Sequence, residues 1–306
     1  MGKPNKLFCF GLGFSALHLA QRLQREGWTV AGTCRSAEKQ RALLSMGIGA
    51  HLFDRDQPLA DAPALLGDAT HVVSSIPPDG AGDPVLDCHG DGLRNLKSLR
   101  WIGYLSTTGV YGDRGGDWVD ENTPRQPTLD RSRRRARAED AWLALWERGR
   151  VPAHLFRLAG IYGPGRSAID SIRDGTAKRI VKPGQVFSRI HVEDIAAVLM
   201  ASMARPNPGV VYNVCDDNPA PPDEVIAYAA ELLGVEPPPA VPFEQAQLSD
   251  MARSFYADNK RVRNDRIKNE LGVSLTYPDY RSGLDAILRG DAAATTVLDA
   301  LGLQRR

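Results

Sequence analysis

The sequence predicts an α/β protein, a doubly wound parallel sheet with a smaller α/β region on its C-terminal side. Three observations carry this. Short apolar runs alternate with helical stretches over the first two hundred residues, the pattern of a parallel sheet covered on both faces. A glycine-rich turn joins the first run to the first helix. Past Gly163 the breakers thicken, with Gly-Pro-Gly at 163–165, Pro-Gly at 183–184 and Pro-Pro-Pro at 237–239.

In chain order the expected strands are Lys6–Phe10, Thr29–Thr33, His51–Phe53, His71–Ser75, Trp101–Ser106 and Ala153–Arg157. Between the first two, Ala16, Leu19, Ala20 and Leu23 recur at spacings of three and four and Gly27 stops the run, so the segment is a helix and the whole a βαβ unit. Later helices are expected over Asp223–Leu233 and Tyr280–Leu288. Residues 1–165 with about 190–215 are expected to form a nucleotide-binding domain, and 166–189 with 216–306 a smaller substrate-side domain.

Composition narrows the class. The chain has 306 residues, 38 Lys plus Arg against 37 Asp plus Glu, a formal net charge of +1, which excludes a nucleic-acid binder driven by global charge. At 42% hydrophobic and 25% charged residues it can bury a sizeable core. The longest uncharged, largely apolar run, Ile195–Ala204, falls far short of the ~18 residues of a membrane span. No signal-like apolar region precedes Leu7–Phe10, and Met1-Gly2 has Lys6 where a myristoylation signal takes Ser or Thr, so a cytoplasmic protein is expected. Cys9, Cys34, Cys88 and Cys215 are scattered, which points to neither a disulfide framework nor a zinc site.

Gly11-Leu12-Gly13-Phe14-Ser15-Ala16 stands between strand and helix as G-x-G-x-x-A, the dinucleotide cradle of a Rossmann fold. Gly11 permits the tight turn, Gly13 admits a pyrophosphate to the backbone, and Ala16 lets helix pack on strand; the phosphates meet the N–H groups of Phe14 and Ser15 at the helix start. At the end of the second strand no acid occurs from Val30 to Ser36; Thr33, Arg35 and Ser36 cluster there, with Lys39 and Arg41 following. A cation in that place suits a 2′-phosphate, so NADP(H) is expected, with NAD(H) as the alternative. Asp54 is expected at the adenine amino group, and Ser75, Ile76 and Pro77 at the cofactor's edge.

Several stretches resemble one family. Leu105-Ser106-Thr107-Thr108-Gly109-Val110-Tyr111-Gly112 resembles the "SS-x-x-VYG" strand end of the extended short-chain dehydrogenases, the NAD(P)-dependent epimerase/dehydratase family. Glu121-Asn122-Thr123-Pro124 with Pro127 resembles its "E-x-x-P-x-x-P", and Arg157 through Tyr162-Gly163-Pro164-Gly165 its "R-P-x-x-x-Y-G-P-G". Ile190-His191-Val192-Glu193-Asp194 is similar to "I-H-V-x-D", and Tyr212-Asn213-Val214 to "Y-N-V". The resemblance implies Leu158 and Ala159 beside the cofactor, and Arg166 and Arg189 on the substrate side, with His191 stabilising the domain junction.

The departure lies in the chemistry. The family's Tyr-x-x-x-Lys pair falls, counted back from Glu139, on Arg131 and Arg135, and no tyrosine occurs between Tyr111 and Tyr162. A guanidinium, with a pKa above ~12, exchanges no proton at neutral pH. In this the chain resembles the atypical, YeeZ-like members. Thr107 takes the place of the family's catalytic Ser/Thr; it either hydrogen-bonds a substrate carbonyl or the carboxamide, or bonds its own backbone. Tyr111 and Tyr162 are the remaining hydroxyls.

Between Arg125 and Arg137 stand six arginines and one acid, Asp130, for a local +5. Arg131 and Arg135, one turn apart, share a face; they read as a clamp for an anionic group or as a solvated helix paired with Glu139, Asp140 and Glu147. No aromatic interleaving accompanies the patch, so no nucleic-acid partner is expected. Two functions follow: an NADP(H)-dependent oxidoreductase or epimerase/dehydratase relative acting on a small anion, or an NADP(H)-binding redox sensor. The family dimerises through helices of which one is here arginine-rich, which leaves monomer and homodimer both open.

Overall fold

The computed structural model describes residues 5–300; residues 1–4 and 301–306, the ends of the two expected domains and the site of Met1-Gly2, lie outside the described residues. Seven strands form the central sheet: β1 (Lys6–Phe10), β2 (Thr29–Cys34), β3 (Gly49–Leu52), β4 (His71–Ser74), β5 (Trp101–Thr107), β6 (Ala153–Leu158) and β7 (Val211–Val214). Their order is β7-β6-β5-β4-β1-β2-β3 and every pairing is parallel. The order reverses at β1, so the carboxyl ends of β1 and β4 splay apart and leave a crevice at the edge of the sheet.

Helices cover both faces because the strands are apolar on both. On one face α1 (Phe14–Arg25), α2 (Ala37–Ser45) and the helix Val192–Ala204 bury Leu17, Leu19, Leu43, Ile195 and Leu199 against Leu7, Cys9, Val30 and Phe156. On the other, α3 (Pro84–Arg94) and α4 (Asp130–Gly149) bury Val85, Leu93, Trp142 and Leu145 against Phe8, Phe10, Ile102 and Tyr104. A third apolar cluster, Tyr162, Ile169, Ala220, Val225, Ala229, Tyr280, Leu284 and Ile287, lies in the breaker-rich part of the chain. It joins the helices Ala168–Arg173, Pro222–Leu233 and Tyr280–Ala300.

The strand expectations meet the structure within two residues at each end; His51–Phe53 shifts to Gly49–Leu52. Three two-stranded pairs, Gly160–Tyr162 with Arg189–His191, Arg179–Val181 with Ala240–Pro242 and Trp118–Val119 with Arg261–Val262, carry no signal in the sequence pattern. Among the described residues no helix is long and apolar enough to cross a membrane.

Candidate functional site

The glycine turn is built by a threonine. Gly11 has φ +85°, and its N–H donates to Thr33 Oγ1 at 2.8 Å while Leu12 N–H donates to the Thr33 carbonyl at 2.8 Å. A Cβ on Gly11 would stand 2.9 Å from Ile76 Cγ1 and from Ser75 Oγ, so both backbone angle and space demand glycine. Ser75 Oγ donates to the Gly11 carbonyl from the other side. Gly13 precedes α1 with no side-chain cap, the first turn holds no acid, and the space above Gly13 is open, with Ser75 Oγ at 4.0 Å the nearest atom to a Cβ built there. The result is a helix start whose first N–H groups have no partner among the described residues and whose dipole points positive into the crevice.

At the end of β2 the chain supplies cations. Ser36 Oγ accepts from Lys39 N–H at 3.2 Å and so caps α2. Burial, with the charge of Arg35 adding to it, pulls the Lys39 ammonium below its ordinary value despite nearby Cys34. Glu38, in the first turn of α2, lies beside them. Asp54 Oδ1 accepts from the N–H groups of Asp56 and Gln57 at 2.9 and 2.8 Å, shaping the turn after β3. Arg55 then clasps the loop after β4: its Nε and Nη2 donate to Asp79 at 2.6 and 2.9 Å, and Nη1 lies 2.7 Å from Asp87. That hydrogen bonding holds the Asp79 carboxyl down at about 2.

These residues line one cleft of about 1660 Å³. Of the positions expected at the cofactor, Gly11, Gly13, Phe14, Thr33, Arg35, Ser36, Asp54, Ser75, Ile76 and Pro77 line it. Thr33 spends its hydroxyl on Gly11. Ser15 and Ala16 lie buried under the first turn, and Leu158 and Ala159 belong to the core, where Ala159 N–H donates to the Val214 carbonyl. None of these four lines the cleft.

The arginine helix behaves differently from the expectation. Arg131 turns away, its Nη1 donating to Ser254 Oγ at 2.6 Å and its guanidinium 4.5 Å from the Phe255 ring centre. Arg135 lies on the sheet, donating to the Leu105 carbonyl at 2.8 Å and to Tyr104 Oη at 3.1 Å. Neither lines the cleft; Arg134, between them, does. The reason is anchorage. Glu139, fully buried one turn on from Arg135, is gripped by Arg157 Nη2 at 2.8 Å, Ser106 Oγ at 2.6 Å and Arg125 Nη1 at 3.2 Å, and this fixes the rotation of α4 on β5 and β6. Burial opposes the Arg157 charge, but the hydrogen bonds and charge of Glu139 outweigh it and push its pKa up.

The other hydroxyl candidates each hold a partner. Thr107 Oγ1 accepts from Gly109 N–H at 3.1 Å, capping the turn Thr108–Tyr111, and stands outside the lining. Tyr111, buried, donates to Asn213 Oδ1 at 2.7 Å and accepts from Arg157 Nη1 at 2.9 Å. Tyr162 lines the cleft and donates to the Asp279 carbonyl at 3.2 Å; burial, then the neighbouring Asp216, push its phenol up.

Beyond the glycine turn the cleft opens onto Arg134, Arg166, Lys178 and Arg189, over an apolar floor of Ala168, Val225, Tyr280 and Leu284. Arg189 Nη1 donates to the carbonyls of Phe187 and Ala220 at 2.8 and 3.0 Å; burial lowers its pKa against the pull of Asp216. His191 Nδ1 accepts from Glu193 N–H at 3.2 Å, capping the helix Val192–Ala204, and burial drives its imidazole down to about 4. Lys178, Tyr280, Val225, Arg55 and Asp79 escape sequence reading, since only folding brings them to the crevice.

No protein-family model matches the chain. It is 30% identical to the protein YeeZ of Escherichia coli over 286 residues, 90% of this chain and 97% of YeeZ. Its fold matches that of a conserved protein of unknown function from Silicibacter pomeroyi at 53% identity and TM-score 0.87, covering 94% of this chain and 99% of the other. It also matches a Methylobacillus flagellatus protein assigned as an NAD-dependent epimerase/dehydratase at 25% identity and TM-score 0.71, with the same coverage. With a parallel Rossmann-type sheet, the glycine turn at its switch point and a relative matched along nearly its whole length, the chain belongs to the YeeZ-like branch of the extended short-chain dehydrogenase family, related to the epimerases and dehydratases.

Proposed function

We propose that the cleft binds NADP(H) and that the protein is an oxidoreductase or epimerase/dehydratase relative acting on a small anionic molecule without the Tyr-x-x-x-Lys pair. The observation that carries this is the single cleft joining an uncapped helix start, a cationic β2 end and a second cationic region beyond. The groups fit a dinucleotide. Gly11 and Gly13 leave room at the backbone, the α1 start meets the pyrophosphate, and Arg35, Ser36 and Lys39 suit a 2′-phosphate. The assignment of the Methylobacillus relative as NAD-dependent supports a nicotinamide nucleotide.

A bound nicotinamide supplies hydride exchange. The chain's own residues do the rest: Arg134, Lys178 and Arg189 attract and orient an anion over the apolar floor. Arg131 and Arg135, permanently charged and tied to Ser254 and Leu105, carry no proton. The proton is therefore handled by water or by Tyr162, the tyrosine of the two candidates that borders the cleft.

Titration of the protein with NADPH and NADH tests the reading: NADPH binds more tightly, and Arg35→Ala removes the difference. Equal or tighter NADH binding defeats the NADP(H) assignment. Consumption of NADPH in a screen of anionic carbonyl compounds is expected for the enzyme. The sensor is favoured instead by the hydroxyl of Tyr111, taken up between Asn213 and Arg157, and by the place of Thr107 outside the cleft lining. For a sensor, no compound turns the cofactor over, and NADP⁺ and NADPH give different hydrodynamic sizes or partners.

A further inference from the structure

The turn Gly163–Arg166 sits directly against the start of α1. It is closed by two reciprocal backbone bonds, Gly163 N–H to the Arg166 carbonyl at 3.1 Å and Arg166 N–H to the Gly163 carbonyl at 3.0 Å. It packs so closely that a Cβ on Gly163 would stand 3.3 Å from Phe14 Cζ and 2.6 Å from Val192 Cγ1. The turn thereby delivers the Arg166 guanidinium to 5.6 Å from the centre of the Phe14 ring. Phe14 is the first residue of α1.

We infer that Arg166 closes on the pyrophosphate of the bound dinucleotide, as a side-chain partner to the α1 N-terminus, rather than holding the substrate. The inference rests on the dinucleotide reading of the cleft. A helix start carries roughly half a positive charge, which favours an acid beside it and disfavours a cation. Here α1 has no acid in its first turn and no side-chain cap, and the neighbouring element contributes a second positive group. The Arg166 side chain makes no hydrogen bond or ion pair among the described residues; it is exposed and lines the cleft. The adjacent carboxylate, Asp170, accepts from Ser167 Oγ, and Ser167 in turn caps the helix Ala168–Arg173 by accepting from Asp170 N–H.

Two positive groups held side by side by that turn, with no ion pair to Arg166 among the described residues, are complementary to an anion shared between them. A pyrophosphate offers charged oxygens on two phosphoryl groups, and the planar guanidinium donates a fork of N–H groups to it. The cation–π contact with Phe14 restrains the guanidinium in advance, so less rotamer freedom is lost on binding.

The test compares Arg166→Gln, which keeps the stem and removes the charge, with wild type in titrations of NADPH, NADH and adenosine 2′-monophosphate; the last lacks the pyrophosphate. Losing a charge-assisted contact is expected to weaken both dinucleotides by about 10- to 100-fold and by the same factor, and to leave the monophosphate unaffected. Arg166→Lys recovers part of the loss. Unchanged dinucleotide affinity overturns the inference, as does a loss confined to NADPH or one shared by the monophosphate. Wild-type protein that binds neither dinucleotide removes the cleft's nucleotide reading itself, and the inference with it.

Discussion

Replacing Glu139 with alanine removes the carboxylate on which α4 is hung. Glu139 is fully buried and accepts from Ser106, Arg125 and Arg157, whose own side chain is only 6% exposed. In Glu139→Ala the Arg157 guanidinium stays in the interior with one remaining side-chain partner, the Tyr111 hydroxyl. Breaking a buried pair from one side costs about 3–5 kcal/mol, because the orphaned charge is left without solvent or counter-ion. In a chain of this size that lowers the melting temperature by about 5–8 °C. Urea denaturation followed by circular dichroism reads the same change as a lower midpoint with an unchanged slope. The double variant Glu139→Leu with Arg157→Met removes both charges and is expected to recover much of the loss. A single variant within about 1 kcal/mol of wild type refutes the reasoning, as does a double variant less stable than the single.

Gly11→Ala forces a side chain into a φ of +85° and against Ile76 and Ser75; dinucleotide titration should show binding lost while the sheet still folds by circular dichroism. Arg131→Ala, which removes contacts to Ser254 and Phe255 and none to the cleft, leaves NADPH affinity unchanged in the same titration. Tyr111→Phe strips a partner from Arg157 and Asn213 and is expected to cost about 1–3 kcal/mol in urea denaturation. Burial holds His71, His154 and His191 near 4, below the ordinary 6.5, so between these values the unfolded chain takes up protons that the native chain refuses. Their contribution to stability therefore falls as pH falls through that window, while Asp216, raised by burial to about 8, contributes in the opposite sense. His154 is fixed neutral, with Nδ1–H donating to Ile102 and Nε2 accepting from Asn207, so denaturation at pH 7 and pH 5 should show a smaller acid loss for His154→Asn than for wild type.

What local pattern encodes was legible. The period of α1, the runs of the sheet and the glycine turn are set by neighbours in sequence, and the family motifs added order. What folding brings together was not. Thr33 reads as a cofactor contact because it ends a strand; its hydroxyl instead builds the turn twenty-two residues upstream. Arg131 and Arg135 read as the facing pair by counting from Glu139, but helix rotation is set by the contacts of Glu139 with three other elements, and Arg134 takes the cleft. The Arg55–Asp79–Asp87 clasp joins segments with no shared periodicity. Arg166 stands out in sequence only as a basic residue after a Gly-Pro-Gly turn; its place beside Phe14 follows from the docking of that turn.

The most direct measurement is a crystal structure of the protein with NADPH bound. The account predicts the pyrophosphate at Gly11–Phe14, the 2′-phosphate against Arg35, Ser36 and Lys39, and no side chain of α4 able to pass a proton at the hydride carbon. A nucleotide bound elsewhere, or a ribose held at Glu38 with Arg35 turned to solvent, would contradict it.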